Sequence, residues 1–324
     1  MKVKISAIEY HLPETIEGVD VLQHDNPDWD MPKILDKTGI FNRHVSALGE
    51  TAVDLACAAG KKLLERDSRC AEIDLLILVT QSPDYVLPTS ACILQERLGL
   101  TKNCMAFDVN LGCSGFVNAV AIAGSLIESG AAHRGLVLCA DTYTKYIGKN
   151  DRTCRPLFSD GAAAALLESC DADQLGPFEF GTDGAGYDRL IVRHSGARGE
   201  NASVGCGTLE MQGSDVFLFT MRVVPSSIDA LLERARLTLA DIDLFVFHQA
   251  SKLVIENLIR TMALDKDKVY TNFENIGNTV SASIPIALKD AATQGRLKDG
   301  DRVMLVGFGV GLSWGATLMR WSAI

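Results

Sequence analysis

Short apolar runs alternate along the chain with longer segments in which apolar residues recur every three or four positions. The clearest runs are five to eight residues long and rich in Leu, Val and Phe, as buried strands are. The longer segments carry charged residues at the other positions, which is typical of helices that cover a sheet. The alternation predicts an α/β fold with mixed, mostly parallel sheets. The runs are LLILVT (75–80), GLVLCA (135–140), LFVFH (244–248) and RVMLVGFG (302–309), and the clearest helical segments are 52–66, 228–237 and 252–262.

Similar segments recur in the same order in the two parts of the chain. NLGC (110–113) corresponds to NIGN (275–278), an offset of 165 positions (278 − 113), and each precedes an apolar helix. Gly130 and Gly295, just past those helices, keep the same offset. Any single match has an ordinary explanation, since α/β proteins reuse similar strand and helix sequences. The constant order predicts a tandem duplication, and the other matching pairs are 63–82 with 231–251 and 161–168 with 315–321.

We expect the duplication to give two similar halves. Residues 1–174 would contain the candidate cysteine, and residues 175–324 would contain the candidate histidine and asparagine. No linker rich in Pro, Gly or Ser separates them, so they are expected to share one packed core. Cys113 and Asn278 would then begin two equivalent helices and face each other across a pseudo-twofold axis.

No segment has the length and apolarity of a membrane span. The apolar stretch 116–127 is too short and contains Asn118 and Ser125, so it predicts a helix that is buried all round. The first residues alternate between apolar and polar like a strand and lack the apolar core of a signal peptide. We therefore expect neither membrane insertion nor export.

Charge and cysteine usage narrow the class of protein. The 324 residues are 47% hydrophobic and carry a net charge of −10, without a basic run, which argues against nucleic acid as a partner. The nine cysteines are scattered and include no Cys-x-x-Cys pair. Neither a zinc site nor a disulfide framework is indicated, so a reducing cytoplasm is the expected compartment.

Cys113 stands in the segment LGCSG at the start of the long apolar helix. A cysteine in apolar surroundings is usually a buried, inert thiol, and most of the other eight are expected to be so. The position favours a different role, because free N–H groups and the helix dipole stabilise a thiolate at a helix N-terminus. Gly112, Ser114 and Gly115 leave room for a substrate, so Cys113 is the candidate nucleophile.

His248 and Asn278 are two further candidates. His248 follows an apolar strand, and catalytic side chains gather at the carboxyl ends of strands in α/β folds. Each has an ordinary explanation by itself, as a core histidine and as a helix-capping asparagine. Beside Cys113 they predict more, because an imidazole and an amide can donate hydrogen bonds to an oxygen that acquires charge.

The glycine-rich segment GFGVGLSWG (307–315) suggests a phosphate loop, but its spacing fits neither G-x-G-x-x-G nor the P-loop pattern. We predict instead a tight backbone turn, whose N–H groups would complete an oxyanion hole with the amide of Cys113.

Four of these segments resemble the signatures of thiolase-like condensing enzymes. Their order and spacing are similar to those of the β-ketoacyl-acyl-carrier-protein synthase III branch, in which the triad is Cys-His-Asn. The resemblance implies a duplicated five-layer αβαβα sandwich, a homodimer, and a reaction without a metal or redox cofactor. The four segments are NLGCSGF, VFHQAS, NIGNTVSAS and GFGVGLSWG, and the stretches 36–44, 87–100 and 157–168 extend the similarity over nearly the whole chain.

The resemblance assigns a role to each matching residue. Cys113 would be acylated by an acyl-CoA, and His248 and Asn278 would stabilise the enolate of a second substrate. The backbone amides of Cys113 and Val310 would hold the oxyanion of acyl transfer, and Phe308 would border the site. The implied second substrate is a malonyl thioester on an acyl carrier protein, which loses carbon dioxide and attacks the acyl-enzyme to give a β-ketoacyl thioester.

The resemblance also implies binding residues. Lys37, Arg152 and Lys252 would contact CoA or the carrier protein. Leu87 and Tyr85 fall where the family controls acyl length across the dimer interface, and Leu87 would line the acyl pocket. The chain departs from the family pattern at several positions. Lys33 replaces a tryptophan that stacks on adenine, Lys37 replaces an arginine, and Val310 replaces a glycine. Leu253 replaces a basic residue that docks the carrier protein, and Arg222 and Arg260 are alternative basic residues for that role.

Two other functions stay open from the sequence. A specialised acyltransferase of secondary metabolism or surface-polysaccharide assembly would acylate Cys113 and pass the group to oxygen or nitrogen, or would condense CoA thioesters only. A non-catalytic scaffold or dimerisation partner would form no acyl-enzyme at all.

Overall fold

The structure, a computed structural model, describes residues 1–66, 69, 72–198 and 207–322. Cys70, Cys206 and part of the repeat at 63–82 lie outside the described residues. The strands are β1 (Val3–His11), β2 (Thr15–Gly18), β3 (Asn42–Val45), β4 (Leu75–Val79), β5 (Met105–Val109), β6 (Arg134–Asp141), β7 (Gly161–Ser169), β8 (Leu175–Thr182), β9 (Leu190–Val192), β10 (Leu209–Met211), β11 (Leu244–Phe247), β12 (Arg302–Gly309) and β13 (Ser313–Arg320). The helices are α1 (Val19–Asp25), α2 (Met31–Thr38), α3 (Ala52–Leu64), α4 (Ser90–Arg97), α5 (Gly115–Glu128), α6 (Gly213–Ala235), α7 (Lys252–Met262), α8 (Phe273–Ile276) and α9 (Ser283–Thr293).

The first large sheet has the strand order β1-β7-β6-β4-β5. Its centre forms from β4 and β6, in which every residue is buried, as expected for apolar runs with both faces covered. Strand β4 lies parallel to β5 and β6, whereas β7 runs antiparallel to both of its neighbours.

The second large sheet repeats the first strand by strand. Its order is β11-β12-β13-β8, so β11, β12, β13 and β8 correspond to β4, β6, β7 and β1, with the same parallel and antiparallel pairings. Where the first sheet has β5, the second has a single parallel bridge between Phe245 and Val269. The expected duplication is therefore visible as two sheets of one topology. The division at residues 174 and 175 falls between β7 and β8, and its status as a domain boundary stays a prediction.

Helices and sheets alternate in five layers. Helices α3 and α4 pack on the outer face of the first sheet, and α6 packs on the outer face of the second, with α7 against it. Helices α5 and α9 lie between the sheets and each contacts strands of both. The expected five-layer α/β sandwich is confirmed. None of the helices in the described ranges has the length and apolarity needed to cross a bilayer.

Two expectations about these elements are wrong in detail. The large sheets are mixed, but in the described part of the chain four of their strand pairs are antiparallel and three parallel. Strands β6 and β7, and likewise β12 and β13, follow each other without an intervening α-helix, so the chain returns antiparallel. Helix α5 is not buried all round, because the two sheets leave a third face with Ile122 and Ser125 exposed in the single chain.

The two central helices end alike but begin differently. Gly130 and Gly295 follow them with φ of 76° and 70°, a left-handed backbone that favours glycine at helix ends. Cys113 lies two residues before α5. Asn278 does not begin α9 directly, because the short 3-10 turn Val280–Ala282 separates them.

Candidate active site

Cys113 lies in a tight connection between β5 and α5, with 4% of its surface exposed. Small residues on either side are required by close packing. A Cβ atom on Gly112 would lie 2.6 Å from both Gln81 Oε1 and Val310 Cγ1, and one on Gly115 would overlap the side chain of Val79. The sequence LGCSG therefore places the thiol where two other segments approach it, the end of β4 and the turn after β12.

The glycine turn after β12 lies directly against Cys113. A Cβ on Gly307 would be 2.6 Å from the carbonyl oxygen of Cys113, and one on Gly309 would be 2.9 Å from its Sγ. The backbone N–H groups of Val310 and of Cys113 itself act on the sulfur and lower its pKa. The turn thus brings a second backbone amide to the region of the nucleophile.

Two serine hydroxyls connect this turn to the start of α5. Ser313 Oγ donates to the carbonyl of Val310 at 2.7 Å and lies 2.9 Å from Ser114 Oγ. Because the Ser313 hydrogen is used on the carbonyl, Ser114 is the donor to Ser313. The sequence analysis assigned neither hydroxyl a role. Their adjacency to Cys113 and to the glycine turn is the signal that points to them.

His248 directly follows β11 and is 2% exposed. Its Nδ1 lies 2.7 Å from Ser283 Oγ, and the edge of Phe308 meets the imidazole with ring centroids 5.6 Å apart. Burial lowers the pKa of His248 to about 3. The imidazole is therefore neutral at physiological pH.

Asn278 is 3% exposed and its carboxamide has a defined orientation. Oδ1 accepts the backbone N–H of Val280 at 3.0 Å, so Nδ2 is turned toward His248 Nε2, 3.4 Å away. Val280 holds a φ of 54°, in the left-handed region that β-branched residues rarely adopt. The strained backbone of Val280 directs its own N–H at Oδ1 of Asn278, and such strain is common at functional sites.

The contacts around the glycine turn bring the three candidate residues to one place. Phe308 contacts His248, Gly309 and Val310 contact Cys113, and Asn278 contacts His248. Cysteine and imidazole thus lie on either side of a three-residue stretch of β12 and its turn.

Burial, and after it the charge of Asp141, raise the pKa of the Cys113 thiol to about 12, against the opposing effect of the backbone amides of Val310 and Cys113. The expectation of a thiolate stabilised by the start of α5 is therefore wrong for the resting site. Removing the sulfur from water disfavours its charged form more than the nearby N–H groups favour it. The resting thiol and the imidazole are therefore both neutral.

Asp141, at the end of β6, is a buried carboxyl that the sequence analysis missed. It accepts hydrogen bonds from the N–H of Gln81 at 2.8 Å and from Ser281 Oγ at 2.6 Å, so it ties the two halves together. Burial raises its pKa to about 7. An acidic residue at the end of a fully apolar strand is the signal that could have revealed it.

The carboxyl of Asp141 predicts a specific pH dependence of stability. Its pKa is higher in the folded chain than the unfolded value of 3.8, so its stabilisation is complete below about pH 4 and is lost as the pH rises through about 7. Relative to Asp141→Asn, wild type should lose roughly 4 kcal/mol of unfolding free energy between pH 4 and pH 8. Urea unfolding of both proteins across that range measures the difference. A pH-independent difference would contradict the assignment.

An apolar cluster of buried side chains adjoins the thiol. Tyr143 is the member whose side chain is also polar: its hydroxyl donates to Gln81 Oε1 at 2.5 Å. The sequence analysis named none of these residues, because they come from five separate segments. The buried members besides Cys113 are Tyr143, Cys154, Phe158, Leu190, Leu209 and Val280.

The predicted binding residues lie at the surface and away from the thiol of Cys113. Lys37 on α2 and Arg152 are exposed, and Lys252 on α7 forms an ion pair with Asp36 at 3.2 Å. Leu87 is 80% exposed and does not contact the cluster around Cys113 in its own chain. The packing of α2 on α7 brings Lys37 and Lys252 to one region.

Comparisons with known proteins agree on one family. The model of 3-oxoacyl-[acyl-carrier-protein (ACP)] synthase III matches residues 107–184, and that of its C-terminal part matches residues 232–321. A β-ketoacyl-[acyl-carrier-protein] synthase III of Clostridioides difficile (strain 630) is 40% identical over 295 residues, 88% of each chain. A crystal structure of a 3-oxoacyl-(acyl-carrier-protein) synthase III has a TM-score of 0.94 at 42% identity and covers 99% of this chain and 100% of its own. The priming β-ketosynthase of the R1128 polyketide pathway has a TM-score of 0.91 at 30% identity, over 99% and 96%.

The five-layer sandwich defines an enzyme of the thiolase fold, in the class of acyltransferases. Within that class, the chain belongs to the β-ketoacyl-[acyl-carrier-protein] synthase III family.

Proposed function

We propose that the chain catalyses a decarboxylating Claisen condensation that starts acyl-chain synthesis. An acyl-CoA acylates Cys113, and a malonyl thioester on an acyl carrier protein then extends the acyl group by two carbons. The observation that carries the proposal is that one stretch of β12 and its turn contacts both the buried thiol and the buried imidazole. The imidazole is neutral, and its Nε2 lies 3.4 Å from Nδ2 of Asn278. Membership of the family, whose relatives are named for this activity, supports it.

In the first half-reaction, the sulfur of Cys113 attacks the thioester carbonyl and CoA leaves. The thiol proton ends on the sulfur of CoA, so the exchange of one thioester for another is balanced. The negative charge on the carbonyl oxygen would be met by the amides of Val310 and Cys113, the two backbone groups that lower the pKa of the thiol. Because these donors are backbone groups held by the glycine turn, they need no rearrangement as charge develops.

In the second half-reaction, the malonyl thioester loses carbon dioxide, and its electron pair passes to the thioester oxygen as an enolate. His248 and Asn278 supply the hydrogen bonds that stabilise this oxygen. The enolate carbon attacks the acyl-enzyme, the C–S bond to Cys113 breaks, and the sulfur regains a proton from water. The reaction needs no resident metal or redox group, because the loss of carbon dioxide generates the carbanion.

Two measurements on the same sample test the proposal. Intact mass after incubation with a series of acyl-CoAs should show one acyl adduct, and addition of a malonyl thioester should then release one equivalent of carbon dioxide. Malonyl-CoA and malonyl-acyl-carrier protein are compared to identify the carrier. An adduct without carbon dioxide release would point to acyl transfer to oxygen or nitrogen. No adduct with any acyl donor would leave only a scaffold role.

We also propose that the protein acts as a homodimer joined through β5. This strand is the edge of the first sheet, and an exposed edge offers unpaired N–H and C=O groups to a second copy. The loop before α4 adds exposed apolar side chains, with Val86 at 91% and Leu87 at 80%. In such a dimer Leu87 would reach the acyl pocket of the partner subunit.

The acyl-length role of Leu87 gives a testable prediction. Leu87→Ala should increase the rate of adduct formation with longer acyl-CoAs by about tenfold, relative to the rate with the acyl-CoA that wild type prefers. The reason is that a hydrophobic contact that limits the length of the pocket is removed. Val86→Ala, a change at the exposed neighbouring residue, is the control. Sedimentation shows that both variants stay dimeric. Identical acyl preferences in the two variants would rule out the role of Leu87.

The cytoplasm is the compartment that fits an enzyme with free thiols. The described cysteines are free thiols, which a reducing compartment maintains.

A further inference from the structure

Each ring nitrogen of His248 has one polar side-chain neighbour among the described residues. Ser283 Oγ lies 2.7 Å from Nδ1, and Asn278 Nδ2 lies 3.4 Å from Nε2. All three residues are at most 3% exposed. The serine contact is the short one, so it decides which nitrogen carries the single proton of the neutral imidazole.

Ser283 is the donor in this contact. A serine hydroxyl carries one hydrogen, and His248 is the one side chain in the described ranges that the Ser283 hydroxyl contacts. If Nδ1–H donated instead, the serine hydrogen would be buried without an acceptor, which is costly. With the proton on Nε2, every hydroxyl hydrogen is used, and Nε2–H faces the position of a substrate oxygen.

One short segment supplies the partners of both ring nitrogens. Asn278 precedes the 3-10 turn Val280–Ala282, and Ser283 is the first residue of α9, immediately after the turn. The N–H of Val280 holds Asn278 Oδ1, which leaves Nδ2–H beside Nε2–H. A separation of 3.4 Å between the two nitrogens suits two donors that converge on one acceptor.

We propose that Ser283 is a positioning residue for His248, whose hydroxyl donates to Nδ1 and so presents Nε2–H, together with Asn278 Nδ2–H, to the thioester oxygen of the second substrate. The inference rests on the proposed function, because that oxygen becomes charged only in the decarboxylation step. As the bond to the carboxylate breaks and carbon dioxide leaves, the electron pair arrives at this oxygen between the two donors.

The test compares Ser283→Ala with Ser283→Thr and with Ser227→Ala. Ser227 is a buried serine on α6 whose hydroxyl has no hydrogen-bond partner among the described residues, so it controls for loss of a buried hydroxyl. Ser283→Ala should lower kcat for carbon dioxide release about 10- to 100-fold, with little change in KM or in the acylation rate. Ser283→Thr should retain most activity, and Ser227→Ala all of it.

Nitrogen-15 NMR of labelled histidine gives an independent readout of the ring. In wild type and Ser283→Thr, His248 should carry its proton on Nε2, whereas Ser283→Ala should shift the population toward the Nδ1–H form. Unchanged ring shifts and unchanged kcat in Ser283→Ala would overturn the inference, as would an equal loss of acylation and condensation. Absence of carbon dioxide release in wild type would instead refute the proposed function, and the NMR comparison would still decide whether Ser283 sets the proton position.

Discussion

Cys113→Ala is expected to abolish the acyl adduct, whereas Asn278→Ala is expected to keep it and to slow carbon dioxide release about 100- to 1000-fold. The adduct forms on the sulfur with the amides of Val310 and Cys113 as donors, and Asn278 contacts neither of these amides among its side-chain hydrogen bonds. The enolate of the second half-reaction, by contrast, loses one of its two side-chain donors. Intact mass measures the first step, and trapped carbon dioxide measures the second.

Matched controls are available for both variants. Cys57→Ala removes a buried thiol from α3, and Asn257→Ala removes a carboxamide from α7 that donates to the carbonyl of Leu253 and accepts from the guanidinium of Arg260. Both controls should show wild-type rates in both steps. If Asn278→Ala lost acylation and condensation in equal measure, the assignment of the backbone amides to acylation and of the side-chain donors to condensation would be wrong.

Gly309→Ala is expected to reduce the acylation rate at least about 100-fold, because the new methyl group would lie 2.9 Å from both Cβ and Sγ of Cys113. Either the thiol or the turn that carries the Val310 amide has to move, and both are needed at the reacting carbonyl. The rate of adduct formation with a saturating acyl-CoA measures the effect. Gly148→Ala is the control, since a methyl group there meets no atom within 4 Å.

A stability measurement separates blocked chemistry from failed folding in Gly309→Ala. Cys113→Gly removes both atoms that the methyl group would meet, so adding it to Gly309→Ala should raise the thermal midpoint relative to the single Gly309 variant. Wild-type acylation by Gly309→Ala, or no recovery in the double variant, would show that the turn does not lie against the thiol as described.

Much of the scaffold followed from local pattern. The runs at 75–80 and 135–140 are β4 and β6, because a short apolar run between amphipathic helices has few stable places other than the centre of a covered sheet. The matching segments predicted two sheets of one topology for the same reason. The number of antiparallel pairs was missed, since pairing direction depends on how the chain returns between strands.

The candidate site was only partly accessible to the same reasoning. Cys113 was identifiable because its small neighbours and the helix that follows are adjacent in sequence. Ser283 meets His248 across 35 positions, and Ser281 meets Asp141 across 140. A serine at a helix start has an ordinary local explanation, so nothing in the sequence pattern singles out Ser283. Such contacts arise only when the two sheets close on the central helices.

The order of strands and helices, the repeat, and the residue types that carry sulfur, imidazole and carboxamide are determined by the sequence alone, because each can be recognised in short segments of the chain. The protonation states and directions of those groups are decided by the tertiary structure. Burial, not the helix start, sets the pKa of Cys113, and partners from distant segments orient His248 and Asn278. Desolvation and hydrogen-bond direction depend on every atom around a group, and those atoms come together only in the folded chain.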